Sequence, residues 1–345
     1  MAVQNPAARS APFVRRRLLR LGAGVAAAAL HAPLLAGRPA LRLRFSHVVA
    51  EDTPKGLVAQ RLQALVHQRT EGRIEVEVFP DARLYGDRDE IQALHTGAID
   101  MLAPSLSKFG RVGFPEFEVF DLPFLFNDLG AVHRVTQGAY GRRLLGGLHR
   151  LGLVGLGFFD NGFKHMSANR PLHEVADFRG LRVRVQGSRV IAAQMRALGA
   201  HPVPLPFSAT REALAKGIVQ GTENPLSNFW TQGMHEVQSH LSLTRHGYLG
   251  YAVITSERFW TRLRPTDRDI LQLALAEAMD FGNRIAGAQQ DKALSAIQAW
   301  GGTTIHDSTG RQRAELSRAV EPVHAELGQR IGMDWLREAR RAIDD

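Results

Sequence analysis

Residues Leu41 to Phe45 alternate apolar and basic side chains, the period-two pattern of a strand with one buried face. Thr53 and Pro54 follow. Threonine caps a helix N-terminus, and proline suits its first turn, where the missing N–H is no loss. Leu57, Val58, Leu62, Leu65 and Val66 then recur at helical spacing. Ile74 to Phe79 alternates again, as a second strand. A second helix is predicted from about Asp87 to Thr96, ended by Gly97 as its C′ residue. A short apolar strand, Ile99 to Ala103, ends at Pro104-Ser105.

A matching order returns later in the chain. Leu181 to Val185 alternates, and a helix follows through Val190, Ile191, Ala193, Gln194 and Leu198. Val203 to Phe207 reads as a strand, and Ser208 as the cap of a helix ending at Gly217. Ile218 and Val219 lead into Gly221-Thr222-Glu223-Asn224-Pro225. Ala93-Leu94-His95-Thr96-Gly97-Ala98-Ile99-Asp100 is echoed by Ala213-Leu214-Ala215-Lys216-Gly217-Ile218-Val219-Gln220. The pattern predicts an α/β chain of two related lobes, each a sheet flanked by helices. The expected boundaries are 41–160 with a return segment 251–300 for the first lobe, and 161–250 for the second. In open α/β sheets ligands bind beyond the carboxyl ends of the strands. Ser105 and Asn224 follow corresponding strands, so both are expected in one cleft. Helical periodicity from Pro265 to Trp300 spans about 50 Å at 1.5 Å per residue, enough to cross the back of both lobes. A further amphipathic pattern, Arg311 to Ile343, lies in a C-terminal region, 301–345, expected to pack across the lobes.

Charge changes the picture at one end only. The 345-residue chain carries a net +9, yet residues 1–40 hold six arginines and no lysine or acid, so the remainder carries +3. That mild balance excludes a phosphate-binding stripe, and nucleic acid is not an expected partner. Arg15, Arg16 and Arg17 precede an uncharged Ala/Leu/Gly-rich run, Leu21 to Gly37, and a small-residue stretch, Ala36 to Ala40. This is the layout of an export signal. The run is too short and too weakly apolar for a permanent membrane helix. Paired arginines before it resemble a twin-arginine signal, with the general secretion route as the alternative. The chain has no cysteine, which excludes disulfides, thiolate catalysis, Cys-ligated zinc and a lipid-anchored cysteine. A free exported binder points to a periplasm.

Templates for catalysis fail. The chain contains no P-loop, no Gly-x-Ser-x-Gly elbow and no dinucleotide fingerprint after a strand, so neither an enzyme nor a cofactor is expected. His235, His240 and His246 are spaced by five and six residues, which does not hold one helical face for a metal. Arg184 is the most informative cation. Within Arg182-Val183-Arg184-Val185 the arginines share a face, either solvated or presenting a guanidinium fork to a carboxylate. Lys164, after the apolar run Val154 to Phe159, is either a surface lysine or a second cation near a lobe crossing. Lys55 opposes the dipole at a helix N-terminus, which a nearby anion would explain, as would exposure. Pro225 holds Asn224 extended, where its amide either stabilises a turn or bonds a ligand. Tyr248 and Tyr251 either wall the cleft or pack in the core.

These residues sit within segments that resemble the DctP family, the extracytoplasmic substrate-binding proteins of tripartite ATP-independent periplasmic (TRAP) transporters. The segments are His47 to Gly56, Ala103-Pro104-Ser105 with Lys108-Phe109-Gly110, Glu118 to Phe124, Asp160 to Asn169, Asp177 to Arg184, Gly221 to Pro225, and Glu236 through Tyr251. They run in order along nearly the whole chain after residue 40, and are most similar to the C4-dicarboxylate branch. The resemblance implies the two-lobed periplasmic binding protein fold, a small organic dicarboxylate ligand and delivery to small and large TRAP membrane subunits. Succinate, fumarate or malate is the implied ligand, with a sugar acid or 2-oxo acid as the alternative. It implies that Arg184 makes the main salt bridge to a ligand carboxylate, with Asn224 beside it, Lys164 as a second cation and Ser105 from the first lobe. Lys55, His246 and Tyr248 are implied at the ligand's other end. Gly187 and Arg245 depart from the branch's usual polar residues near the pocket.

Deleting residues 1–40 is expected to leave a soluble, folded protein, because that segment is read as a signal. Circular dichroism and thermal unfolding of the truncated chain check this; an insoluble product would make the segment structural.

Overall fold

The alternating segments become strands in the two flanks of one continuous sheet. A computed structural model describes residues 40–344, so the expected export signal, residues 1–40, lies outside the described residues apart from Ala40. The strands are β1 (Leu41–Ser46), β2 (Ile74–Phe79), β3 (Met101–Leu102), β4 (Leu153–Ala168), β5 (Arg182–Val185), β6 (His201–Pro204), β7 (Gly221–Asn224), β8 (His240–Ser256) and β9 (Thr304–Asp307). Their order is β2-β1-β3-β8-β4-β7-β5-β6, with β9 added to the start of β8. The path is nearly symmetrical. β1 to β3 pair parallel in one lobe and β5 to β7 in the other. The long antiparallel pair β4 and β8 runs through both lobes and joins them. Three register shifts break this pair, between Gly155 and Gly157, Asp160 and Gly162, and Lys164 and Met166. Bulges of this kind bend a strand and re-aim its side chains.

The repeated octapeptide folds the same way twice. Ala98 and Ile99 N–H both donate to Ala93 O, and Ile218 and Val219 N–H both donate to Ala213 O. Asp100 Oδ2 accepts from Arg44 N at 2.9 Å, and Gln220 Oε1 from Arg182 N at 2.9 Å. Arg44 Nη2 donates to Gly97 O at 2.8 Å, and Arg182 Nη2 to Gly217 O at 2.7 Å. Gly97 and Gly217 both hold left-handed backbone, at φ 76° and 66°, which glycine adopts without a Cβ penalty. Arg182 is thus a structural arginine with a counterpart in the first lobe. Arg184, two residues on, corresponds to Ser46 and has none.

The helix Pro54–Arg69 is capped as predicted, Thr53 Oγ1 accepting from Gly56 N at 3.2 Å. It packs on the 36-residue helix Pro265–Trp300, about 54 Å long at the standard rise. Leu271, Ala274, Leu275 and Ala278 of that helix join the core of Leu43, Phe45, Val58 and Leu62. Ala293 and Ile297, near its end, join a separate core with Val219, Phe229 and Leu241. One rigid rod therefore touches both lobes. The helix Gly310–Ile331 buries Leu316, Val320, Val323 and Leu327, and the helix Met333–Asp344 sets Trp335 edge-on to Tyr140 at 5.3 Å.

Several local expectations change; the strand expected over Ile99 to Ala103, for one, is only Met101–Leu102. The second helix begins at Glu90 rather than Asp87, because the Asp87 side chain leaves to meet Lys108 and the Phe207 N–H. The strand after Leu198 spans His201–Pro204 and stops short of Phe207, since Leu205 turns its carbonyl to Arg184. Ser208 does not cap the next helix. It lies inside a 3-10 turn, Phe207–Ala209, and the helix Thr210–Ala215 follows with Ala209 at its cap. The C-terminal helical pattern is divided at Gly332, whose φ is 100°. Among the described residues no helix is long and apolar enough to cross a membrane.

Where β4 crosses between the lobes, Asn161 is fully buried and saturated. It donates to Asn228 Oδ1 (2.9 Å) and Tyr251 OH (2.8 Å), and accepts from Ser227 Oγ (2.9 Å) and Gln290 Nε2 (3.2 Å). Replacing it strands several buried polar groups at once. Asn161→Ala is expected to cost at least about 2 kcal/mol of unfolding free energy in urea titration, from the penalty of about 1–3 kcal/mol for each unsatisfied buried group. A loss below half that value would mean the network contributes little.

Candidate functional site

The cleft between the lobes is a cavity of about 550 Å³. The second lobe supplies Arg184 and Gln186 from β5 and its continuation, Leu205 to Phe207 after β6, and Asn224 from the end of β7. The first lobe supplies Lys55 from the start of its helix, Asp87, and Ser105, Lys108 and Arg111 after β3. These segments follow the carboxyl ends of parallel strands, the usual ligand position in an open α/β sheet.

Arg184 is only 2% exposed. Its Nε and Nη2 both donate to Leu205 O, at 3.1 and 3.0 Å, and its guanidinium carbon lies 5.6 Å from the Phe207 ring centre. Nη1 is buried with no hydrogen-bond partner among the described residues. Burial holds the guanidinium below its ordinary pKa, opposed by the charges of Asp87 and Glu223. The group is aligned by the protein on one edge and left unsatisfied on another, so an anionic oxygen in the cavity would complete it.

Lys55 is also 2% exposed, its Nζ 4.0 Å from the centre of the Tyr251 ring. Burial, helped by the nearby charge of Lys108, pulls its ammonium down to about 7. Lys108 is already neutralised. It bonds Asp87 Oδ1 at 2.5 Å and also Glu90, and although burial lowers its pKa these carboxylates outweigh it and raise the ammonium above its ordinary value. Burial alone would raise the Asp87 carboxyl, but Lys108 and the Phe207 N–H, 2.5 Å away, bring it to about 2. Asn224 is buried, and its Nδ2 donates to Thr222 Oγ1 at 3.2 Å. Ser105 reaches across the cleft, its hydroxyl donating to Gln186 Oε1 at 2.9 Å.

Arg184, Asn224, Ser105 and Lys55 are thus brought together on one cavity. Lys164, His246 and Tyr248 are not among its lining residues. Lys164 is buried beneath it, with Nζ 3.0 Å from Glu223 Oε2, and His246 Nε2 stands 3.6 Å from the same oxygen. Burial raises the Glu223 carboxyl, but Lys164 and His246 outweigh it and hold the group below its ordinary value. Burial lowers the His246 imidazole. Glu223 and Asn224 are neighbours on a strand and project to opposite faces, so the alternation that gives Asn224 to the cavity turns Glu223 to Lys164. The same rule separates the tyrosines. Leu249 and Tyr251 line the cleft, whereas Tyr248 donates to Asp160 Oδ1 at 2.5 Å and packs among Phe120, Phe126 and Phe163. Gly187 does line the cavity, but Arg245 does not. It sits on the bulge opposite His165, at φ 48°, and faces a second cavity of about 460 Å³ that Arg313, Asp291 and Asp307 also line.

Gln186, Arg111, Asp87 and Phe207 were not singled out from the sequence. Gln186 lies two residues beyond Arg184 and so shares its face, a signal within reach of pattern reading. The others depend on how the lobes meet. Among the described residues no group of His, Asp and Glu side chains could hold a metal.

A two-lobed α/β chain closing a cationic cavity on the strand ends is a solute-binding protein by architecture. The chain belongs to the DctP family: the model of the bacterial extracellular solute-binding proteins, family 7, matches residues 45–330. It is 47% identical over 332 residues to the C4-dicarboxylate-binding periplasmic protein DctP of Rhodobacter capsulatus, covering 96% of this chain and 99% of that one. Among solved structures it resembles a TRAP periplasmic solute-binding protein from Shewanella oneidensis with bound succinate (TM-score 0.86, 40% identity, 88% of this chain and 99% of that one). It also resembles one from Pseudomonas aeruginosa with bound L-malate (TM-score 0.81, 38% identity, 83% and 99%).

Lys55 makes stability depend on pH in a fixed sense. Its folded pKa of about 7 lies below the ordinary 10.5, so between these values the unfolded chain holds a proton that the folded chain has shed. The penalty for burying the charge is complete below pH 7 and is relieved as pH rises toward 10.5. Lys55→Met is therefore expected to stabilise the empty protein most at pH 6, with the advantage shrinking between pH 7 and 10 in urea unfolding. An advantage independent of pH would show that Lys55 does not titrate in that window.

Proposed function

We propose that the protein is the exported solute-binding component of a TRAP transporter, capturing a C4-dicarboxylate between its lobes in the periplasm and presenting it to small and large membrane subunits. Its task in this reading is capture and release, without chemistry on the ligand. The observation that carries it is the buried Arg184 guanidinium, with two donors held by Leu205 O and Nη1 without a partner at the cavity. The relatives named for C4-dicarboxylates and the structures holding succinate and L-malate support the choice of acid.

The physics fits a small dianion. Moving two carboxylates out of water is strongly unfavourable unless both are paired. Arg184 with Asn224 serves one end from the second lobe, and Ser105 and Lys55 approach from the first. Charge-assisted hydrogen bonds of about 1.5–3 kcal/mol each are enough for micromolar binding, about −8 kcal/mol. Because both lobes contribute contacts, the closed form is favoured by as much as the ligand prefers it. A membrane partner that recognises the closed shape then distinguishes loaded from empty protein.

Isothermal titration calorimetry with succinate and L-malate tests this. Arg184→Ala is expected to weaken binding by at least about a hundredfold while far-UV circular dichroism stays unchanged. Unchanged affinity would remove Arg184 from the site. Binding of galactonate in place of both diacids would move the substrate to the sugar acids.

A further inference from the structure

The proposed ligand has two carboxylates, and the lysines at and beneath the cleft are largely spoken for. Lys164 is paired with Glu223, and Lys108 with Asp87 and Glu90. Lys55 faces an aromatic ring. Two arginines of the lining, Arg88 and Arg111, have no carboxylate within 4.0 Å among the described residues, and Arg111 also reaches the opposite lobe. Arg111 lines the cavity from the first lobe, at the end of the 3-10 segment Leu106–Val112. Its side chain crosses the cleft and lies against Gly187 of the second lobe. A Cβ at residue 187 would stand 2.5 Å from Arg111 Nη1 and 2.8 Å from its Cδ.

Gly187 is not required by its own backbone. Its φ falls outside the positive region occupied by twelve other glycines among the described residues, so an L-residue fits the conformation. It follows Gln186, whose amide oxygen accepts from Ser105 across the cleft, and precedes Ser188, which caps the helix Arg189–Ala197. What the missing side chain provides is room, and Arg111 fills that room. Arg184 lies three residues before Gly187, so the two guanidinium groups approach one cavity from opposite lobes.

We propose that Arg111 is the cation that takes the ligand's second carboxylate, and that Gly187 is the specificity-determining position whose bare backbone admits it. This deepens the reading of the site as a dicarboxylate cleft and rests on it. A guanidinium stays charged throughout the working pH range and offers a planar pair of donors. Arg111 meets the second lobe at Gly187, so the same side chain that reads the second charge also registers closure. A ligand with a neutral far end would leave Arg111 unpaired against Gly187, and discrimination against monoacids follows.

The test compares succinate with succinamate, its monoamide, by calorimetric competition on the wild type, Arg111→Ala, Gly187→Ser and the double variant. The wild type is expected to prefer succinate. Arg111→Ala should reduce succinate affinity roughly ten- to hundredfold, as for loss of one charge-assisted contact, and leave succinamate nearly unchanged. Gly187→Ser should shift the preference in the same direction, and the double variant should be no worse than the worse single one, because both changes remove one contact. Equal losses for both ligands, or losses that add, would overturn the proposal. Arg111 is exposed, so its variant stays folded even if Gly187→Ser does not. A wild type that binds neither diacid nor monoamide would instead remove the dicarboxylate reading beneath it.

Discussion

The site depends on a guanidinium that the fold buries and leaves incomplete. Arg184 is withdrawn from water on β5, and one backbone carbonyl, that of Leu205, holds two of its donors. That carbonyl is available because the strand after Leu198 ends at Pro204 and the chain turns. A guanidinium fixed on one edge, with Nη1 unpartnered among the described residues, suits the carboxylate role proposed for it. The ordering of the side chain is completed on folding and does not oppose binding.

Around this group the protein separates cations that serve structure from those left available. Arg182 repeats in the second lobe the bonds that Arg44 makes in the first, so it belongs to the fold. Lys164 balances Glu223 under the cleft, and Lys108 balances Asp87 and Glu90 at its side. Each pair neutralises a buried charge that would otherwise be costly. Asp87 does a second task, since its other oxygen receives the Phe207 N–H from the opposite lobe. Together with the Ser105–Gln186 bond, this ties the lobes across the cavity through polar groups, which water can replace when the cleft opens.

The crossing between lobes combines two unbroken strands with local breaks in their pairing. β4 and β8 are continuous through both lobes, but three register shifts interrupt their pairing. Asn161, Ser227 and Gln290 hold the crossing to the long helix through a closed set of hydrogen bonds. The helix itself enters both hydrophobic cores.

Much of this was already present in the order of residues. Period-two alternation at Leu41 to Phe45 and at Leu181 to Val185 located both central strands. Thr53-Pro54 located a helix start, and the repeated octapeptide revealed the duplication, because local backbone geometry is decided by near neighbours. The family resemblance selected Arg184, Asn224, Ser105 and Lys55, which the cavity gathers. Only the tertiary structure decided which charges remain available, because ion pairing is set by distances between segments far apart in the chain. Lys164 is close to Glu223 in space and not in sequence. Tyr248 and Tyr251, three residues apart, fall on opposite sheet faces by strand parity. The contact of Arg111 with Gly187 exists because the lobes meet there, and no local pattern encodes a meeting of surfaces.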